Sequence, residues 1–144
     1  MLKGKGLELL SAEIVKTIIS ASLDDDLKIY GTILGDKLKQ SQKVLGHLMP
    51  FAIKGNYERY LADANLFMEH MSIVVLGWLW LEMAVDAKSK LTKADKKYSE
   101  TFYESKIHTM KFYFKYEVPK TNSLAESLMN NEVLTIKKDK ELIL

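Results

Sequence analysis

The sequence predicts an all-α protein, an antiparallel up-and-down four-helix bundle, and three observations carry that expectation. Apolar residues recur at spacings of three and four along several long stretches, which marks helices with one buried face. Only two prolines, Pro50 and Pro119, interrupt the 144 residues. The run from Met71 to Leu81 is apolar nearly all the way round a helix. A helix without a polar face must be covered on every side, so the segment from Phe67 to Leu91 is expected at the centre of the bundle. No stretch sustains a period of two, so no sheet is expected.

The first helix is placed at about 7–21, where Leu7, Leu10, Ile14, Ile18 and Ala21 form one stripe. The second spans about 23–53. Asp24, Asp25 and Asp26 are assigned to its first turn, where negative charge is favoured by the helix dipole. Leu27, Tyr30, Leu34, Leu38, Leu45 and Leu48 form its seam, which Ser41 completes. Pro50 is expected to bend the last turn or stop the helix early. Lys54-Gly55-Asn56 then reads as a loop. The third helix covers about 57–91, starting at Tyr57 or Ala64; from Ala64 it is about 42 Å long at the standard rise. Lys88 to Lys97 forms a lysine-rich turn with Thr92 or Asp95 as caps. The fourth helix covers about 98–130 and aligns Tyr103, Ile107, Met110, Phe114 and Val118, with a kink at Pro119 and a continuation through Leu124 and Leu128. The tail, 131–144, contains Val133-Leu134-Thr135-Ile136, expected to be locally extended, and ends in Leu142-Ile143-Leu144. Gly77 is read as a close helix crossing, at which an added methyl group is expected to clash. With no repeat and no low-complexity tract, 1–144 reads as a single domain.

Composition narrows the function classes. A hydrophobic fraction of 47% and a charged fraction of 28% belong to an ordinary globular protein long enough to bury a core. Cysteine is absent, which removes disulfides, thiolate nucleophiles and cysteine metal sites and suits a reducing cytoplasm. The start, Met1-Leu2-Lys3-Gly4-Lys5-Gly6, leads straight into an amphipathic pattern, so no secretory leader is expected. A bilayer span needs about 20 predominantly apolar residues. Met71 to Leu81 falls short of that between Glu69 and Glu82, so no membrane is expected. A net charge of +2, with lysines dispersed among acids, gives no field for nucleic acid.

The candidate chemical groups are few. His47, His70 and His108 lie on three different helices, which a bundle can bring together. Metal sites in such bundles use Glu-x-x-His pairs. Here Glu69 and His70 are adjacent and Glu104 stands four residues before His108, so no metal is expected and the histidines are assigned to helix edges. Glu58, Asp63, Glu69 and Glu82 surround the apolar run. A buried carboxylate with a raised pKa can act as a general base; the plainer assignment is that each marks a point where the helix reaches water. The segment Lys106 to Tyr116 interleaves bases with aromatics, as single-strand nucleic-acid binders do. At helical spacing, however, Tyr103, Ile107, Met110 and Phe114 share a face while the lysines fall largely elsewhere, which describes a core stripe. No glycine loop of the phosphate-cradling kind is present, since Gly31 and Gly35 sit within a helix.

Gly77-Trp78 followed by Leu81 and Ala84, then Tyr103 with Lys106, Phe112-Tyr113 and Pro119, resembles a known pattern. It is similar to the C-terminal helical extension of acyl-CoA dehydrogenases, in the branch that includes methylthiopropanoyl-CoA dehydrogenase. The resemblance covers about Leu7 to Leu128 and rests on packing residues. Val118 stands before Pro119 where that branch more often has leucine, and Met110 fills a position that is often small. Members of the family bind FAD and oxidise acyl-CoA to 2-enoyl-CoA, using a glutamate in a Tyr-Glu-Gly-Thr-like motif upstream of the extension. This chain lacks that motif; Tyr57-Glu58-Arg59 is its one comparable Tyr-Glu and has no glycine. Lys3-Gly4-Lys5-Gly6-Leu7 resembles the segment after the motif.

The resemblance therefore implies a structural and assembly domain of a larger flavoenzyme, with no catalytic, cofactor-binding or metal residue in this chain. FAD is implied for the parent enzyme alone. The implied partners are the remainder of the parent dehydrogenase and further copies in a homo-oligomer. Two other readings stand beside it: an independent helical protein-interaction module, and a small-ligand-binding bundle with a cavity beside Trp78, Trp80 and the aromatics of the last helix.

Overall fold

A computed structural model of the protein describes residues 5–136. Those residues are all-helical, with no strand among them, in six segments: α1 (Lys5–Ser22), α2 (Lys28–Ile53), α3 (Tyr57–Leu61), α4 (Ala64–Leu91), α5 (Glu100–Tyr116) and α6 (Lys120–Met129). The expected third helix is divided into α3 and α4 at Ala62 and Asp63, and the expected fourth into α5 and α6 around Pro119. The second division has a local cause. Proline has no amide hydrogen and its ring crowds the carbonyl four residues back. The amides of Glu117 and Val118 both turn to the Tyr113 carbonyl, at 2.9 and 3.1 Å, before the chain restarts as α6.

The ends of the segments follow capping chemistry. Asp24 stands ahead of α2, not in its first turn as expected. Its Oδ1 accepts from the amides of Asp26 and Leu27 at 2.9 and 3.2 Å, closing the turn between α1 and α2. Pro50 does not shorten α2, which continues to Ile53 and ends in a Schellman motif. There the Asn56 amide reaches the Phe51 carbonyl at 2.8 Å, the Gly55 amide reaches that of Ala52 at 3.0 Å, and Gly55 takes φ +78°. Asn56 then caps α3 by accepting from the Arg59 amide. Thr92 is the C-cap of α4, its amide donating to the Lys90 carbonyl, and the N-cap of α5 is Ser99, which accepts from the Phe102 amide at 3.2 Å; Asp95 caps neither helix. Val133 is buried and a turn follows it at Leu134 and Thr135, so the expected extended tail is not formed over 133–136, and Leu142-Ile143-Leu144 lies outside the described residues.

Helix α4 is the hub, packing against α1, α2, α5 and α6. Helix α5 runs back along it, so that Tyr113 donates its hydroxyl to the Ile73 carbonyl at 3.3 Å while Phe102 and Tyr103 stand beside Met83 and Ala87. The main core joins Ile14, Leu34, Leu38, Val74, Leu81, Met110, Phe114 and Val118. A smaller core at the other end joins Val44 and Leu48 of α2 to Ala125 and Leu128 of α6. The seam of α2 thus uses Val44 in preference to Leu45, which is half-buried.

Gly77 does not have the role its sequence context suggests. A Cβ at Gly77 would lie 3.5 Å from a Val118 methyl and 3.8 Å from the Phe114 ring, ordinary van der Waals contact, so the expected clash is not built in. The tighter crossing is at Gly31. There a Cβ would lie 3.4 Å from both the Ala21 Cβ and the Ile18 carbonyl oxygen, neither of which can rotate away.

Candidate functional site

His70 is fully buried, not at a helix edge as the sequence suggested. Its Nε2 lies 3.1 Å from Gln40 Oε1 and its Nδ1 lies 3.3 Å from Ser41 Oγ. The one Ser41 hydroxyl hydrogen has two acceptors in reach, the Lys37 carbonyl at 3.0 Å and His70 Nδ1; with Nε2–H donating to Gln40, a neutral ring accepts at Nδ1. The Gln40 amide nitrogen donates to Asn122 Oδ1 at 3.1 Å, which turns the Gln40 oxygen towards the imidazole, and Lys37 Nζ donates to the same Asn122 oxygen. A polar chain therefore ties α4 through α2 to α6. Burial pushes the His70 pKa below its ordinary value, and the nearby Lys37 charge acts in the same direction. The ring is held as neutral imidazole, a structural group with no open side for a substrate.

The other candidates are dispersed. His47 is half-buried against the Phe51 ring, with its Nε2 buried and unpartnered, and His108 is exposed on α5. The structure does not bring the three histidines together, and among the described residues no group of three or more His, Cys, Asp or Glu side chains is arranged to hold a metal ion. Glu58, Glu69 and Glu82 are exposed, as expected of residues where a helix meets water, and Asp63 is half-buried and accepts from Thr135. Tyr57-Glu58-Arg59 lies in α3. There Arg59 is buried, donates to the Asn130 carbonyl at 2.9 Å and stacks 4.7 Å above the Phe51 ring. On α5, Tyr103, Met110 and Phe114 are buried while Lys111 and Lys115 face solvent. The interleaved bases and aromatics are a core stripe with solvated flanks.

Helix α4 carries the feature that sequence reasoning missed. It is not covered on every side. Met68, Leu76, Leu79 and Met83 are 63, 47, 38 and 42% exposed, and with Ser72 they form one line along the helix. The opposite face, Val74, Gly77, Leu81 and Ala84, is buried against α5 and the core, and Trp78 reaches sideways to donate to Thr17 Oγ1 of α1 at 2.8 Å. By length and composition α4 also meets the requirement for a bilayer span, a test that the hub helix of a soluble bundle passes equally. The helix therefore has three packed sides and one apolar side facing outward. No charged side chain interrupts this strip between Met68 and Met83. The signal in the sequence was the absence of any charge at positions 68, 72, 76, 79 and 83; a helix that is apolar all round does not reveal which of its faces stays open.

Two hollows flank this helix. A groove of about 350 Å³ between α1 and α4 has a mixed lining that includes Glu13, Lys16, Thr17, Glu82, Val85 and Asp86. A smaller one of about 200 Å³ between α4 and α5 is bounded by Met83, Ala87, Tyr98, Phe102 and Lys106. Trp78 and Trp80 are packed against the core.

The family model described as "Acetyl-CoA dehydrogenase C-terminal like" matches residues 10–137. No curated protein and no solved structure matches the chain. The matched residues take in all of α2 to α6 and most of α1, so the hub helix, its buried face and its exposed apolar line all lie within the match. The chain belongs to the acetyl-CoA dehydrogenase C-terminal-like family.

Proposed function

We propose that this chain serves as the non-catalytic assembly domain of an FAD-dependent acyl-CoA dehydrogenase, whose other domains oxidise acyl-CoA to 2-enoyl-CoA in the cytoplasm. The exposed apolar line of α4 carries the reading, because it is a surface suited to packing and holds no group able to take or give a proton. The family match supports the setting, and the Gly77-Trp78, Tyr103, Lys106 and Pro119 pattern favours the branch that includes methylthiopropanoyl-CoA dehydrogenase. In this proposal α1, α2, α4 and the joined α5 and α6 act as the four members of an up-and-down bundle. The partners are the rest of the dehydrogenase and further copies of it, with no metal, nucleic acid or membrane involved. FAD and acyl-CoA belong to the other domains.

The test is direct. The purified chain is mixed with FAD, an acyl-CoA and a reducible dye, and a dehydrogenase of this family is compared with and without its C-terminal domain. The expected result is no bound flavin and no dye reduction for the chain, together with lost subunit assembly and a retained flavin spectrum in the truncated enzyme. Dye reduction by the chain, or unaltered assembly after truncation, would overturn the proposal.

A further inference from the structure

We propose that the exposed face of α4 docks against the same face of a second copy of this chain, antiparallel and across a two-fold axis close to Leu76. The inference rests on the assembly role above and names the partner for it.

The line that stays open on α4 reads Asn65, Met68, Ser72, Leu76, Leu79, Met83, spaced by threes and fours like the seam of a coiled coil. Over these 18 steps, about 27 Å of helix, no charged residue stands on it. Between Met68 and Met83 its spacing is symmetric: the midpoint of Met68 and Met83 coincides with the midpoint of Ser72 and Leu79, and Asn65 lies beyond this stretch. An antiparallel two-fold contact therefore sets Met68 on Met83 of the second copy and the small Ser72 opposite Leu79, with the two Leu76 side chains meeting near the axis. An isologous interface requires a patch that complements itself, and here the small Ser72 makes room for the Leu79 opposite it. A heterologous partner makes no such demand.

Charge placement selects the same geometry. Glu69 stands one turn before Ile73, whose carbonyl bonds Tyr113, so it lies on the α5 side of the line at the Met68 end. Lys106 of α5 stands on that same side at the Met83 end, in the small hollow with Met83, Tyr98 and Phe102. The ion pairs among the described residues include neither Glu69 nor Lys106. A two-fold axis across the line preserves the side and exchanges the ends. Glu69 of each copy then meets Lys106 of the other, twice per dimer, while Asp86 and Lys90 stay paired within their own chain. A lipid surface is disfavoured by the same arrangement, because exposed Glu69 and Glu82 border the line on opposite sides.

Sedimentation velocity of the whole chain over a concentration series tests the proposal, with circular dichroism to confirm that each variant is helical. The wild type is expected to dimerise and Leu76→Glu to sediment as a monomer. Glu69→Lys and Lys106→Glu are each expected to weaken the dimer by about tenfold, since two exposed pairs become repulsive, and the double variant is expected to restore it. Because the chain has no cysteine, Leu76→Cys supplies a single thiol near the axis. It is expected to cross-link two copies on oxidation, whereas Leu9→Cys on the exposed side of α1 is not. Cross-linking decides the matter if Leu76→Glu fails to fold. A monomer at every concentration, a dimer indifferent to Leu76→Glu, a double charge variant that stays weak, or a monomer that instead partitions onto phosphatidylglycerol vesicles would overturn it. None of these readings depends on flavin or acyl-CoA, so this inference and the dehydrogenase assignment fail separately.

Discussion

Replacing Gly77 with alanine tests the packing of the hub helix most sharply, because two effects of comparable size compete there. Glycine inside a helix costs about 1 kcal/mol relative to alanine. Gly77 is buried, so the new methyl group also leaves water, which adds about 0.8 kcal/mol as an upper value. Against this stands overpacking, which costs about 1–3 kcal/mol where a methyl group has no room. The geometry decides the sign. The added carbon meets a Val118 methyl at 3.5 Å and the Phe114 ring at 3.8 Å, both ordinary contact distances. Gly77→Ala is therefore expected to stabilise the protein by about 1–1.5 kcal/mol, raising the melting temperature by about 3–5 °C in a chain of this size. The internal comparison is Gly31→Ala, whose new carbon meets the Ala21 Cβ and the Ile18 carbonyl oxygen at 3.4 Å. There the propensity gain is offset by crowding against atoms that cannot turn aside, and the net change is expected to be zero or negative. Thermal and urea denaturation of the two variants beside the wild type supply the measurement. A Gly77→Ala protein less stable than Gly31→Ala would refute the reasoning, because it would place the closest crossing at α5, not at α1.

Three further outcomes follow from the side-chain geometry. Because the folded His70 pKa lies below 6.5 while the unfolded ring titrates near 6.5, the unfolded chain takes up a proton that the folded one refuses. Stability is thus expected to hold above about pH 6.5 and to fall as the pH drops below it; a His70→Gln variant with the same slope between pH 7.5 and 5.5 would show that another group is responsible. Thr17→Val leaves the Trp78 indole N–H without its acceptor and is expected to cost about 1–2 kcal/mol in a urea titration, with Thr17→Ser close to wild type. Gly55→Ala forces a side chain into the left-handed region at φ +78°, for a cost of about 1 kcal/mol; a neutral result would mean the Schellman turn relaxes freely.

Most of the helix pattern was legible because period and punctuation agree. Tyr103, Met110, Phe114 and Val118 keep a regular spacing and are all buried, and Pro119 breaks the last helix where a missing amide hydrogen requires it. What escaped the pattern was decided at longer range. Val44 takes the core position over Leu45 because α6 presents Ala125 and Leu128 on that side. His70 is buried because Gln40 and Ser41, some 30 residues earlier, supply its hydrogen bonds. Ser99 caps α5 where Thr92 and Asp95 have equal cap chemistry, since the chain between them is turn and not helix.

The largest departure concerns the same helix that defined the fold. A run such as Met71 to Leu81 has no polar face, and burial on all sides is the solution for a chain that folds alone. Here α1, α2, α5 and α6 pack around α4 and still leave Met68, Leu76, Leu79 and Met83 toward water. Removing one such leucine from water is worth on the order of 1.5–3 kcal/mol when burial is complete, so an uncovered line of four forgoes several kcal/mol that a closed bundle would gain. The charges of α4 stand beside the line, at Glu69 and Glu82, or past its end, at Asp86, and the line is uncharged from Met68 to Met83. The expectation that α4 is covered all round is therefore correct in its physics and incomplete in its scope. In the assembly role proposed above, the side that the single chain leaves open is the one a partner covers.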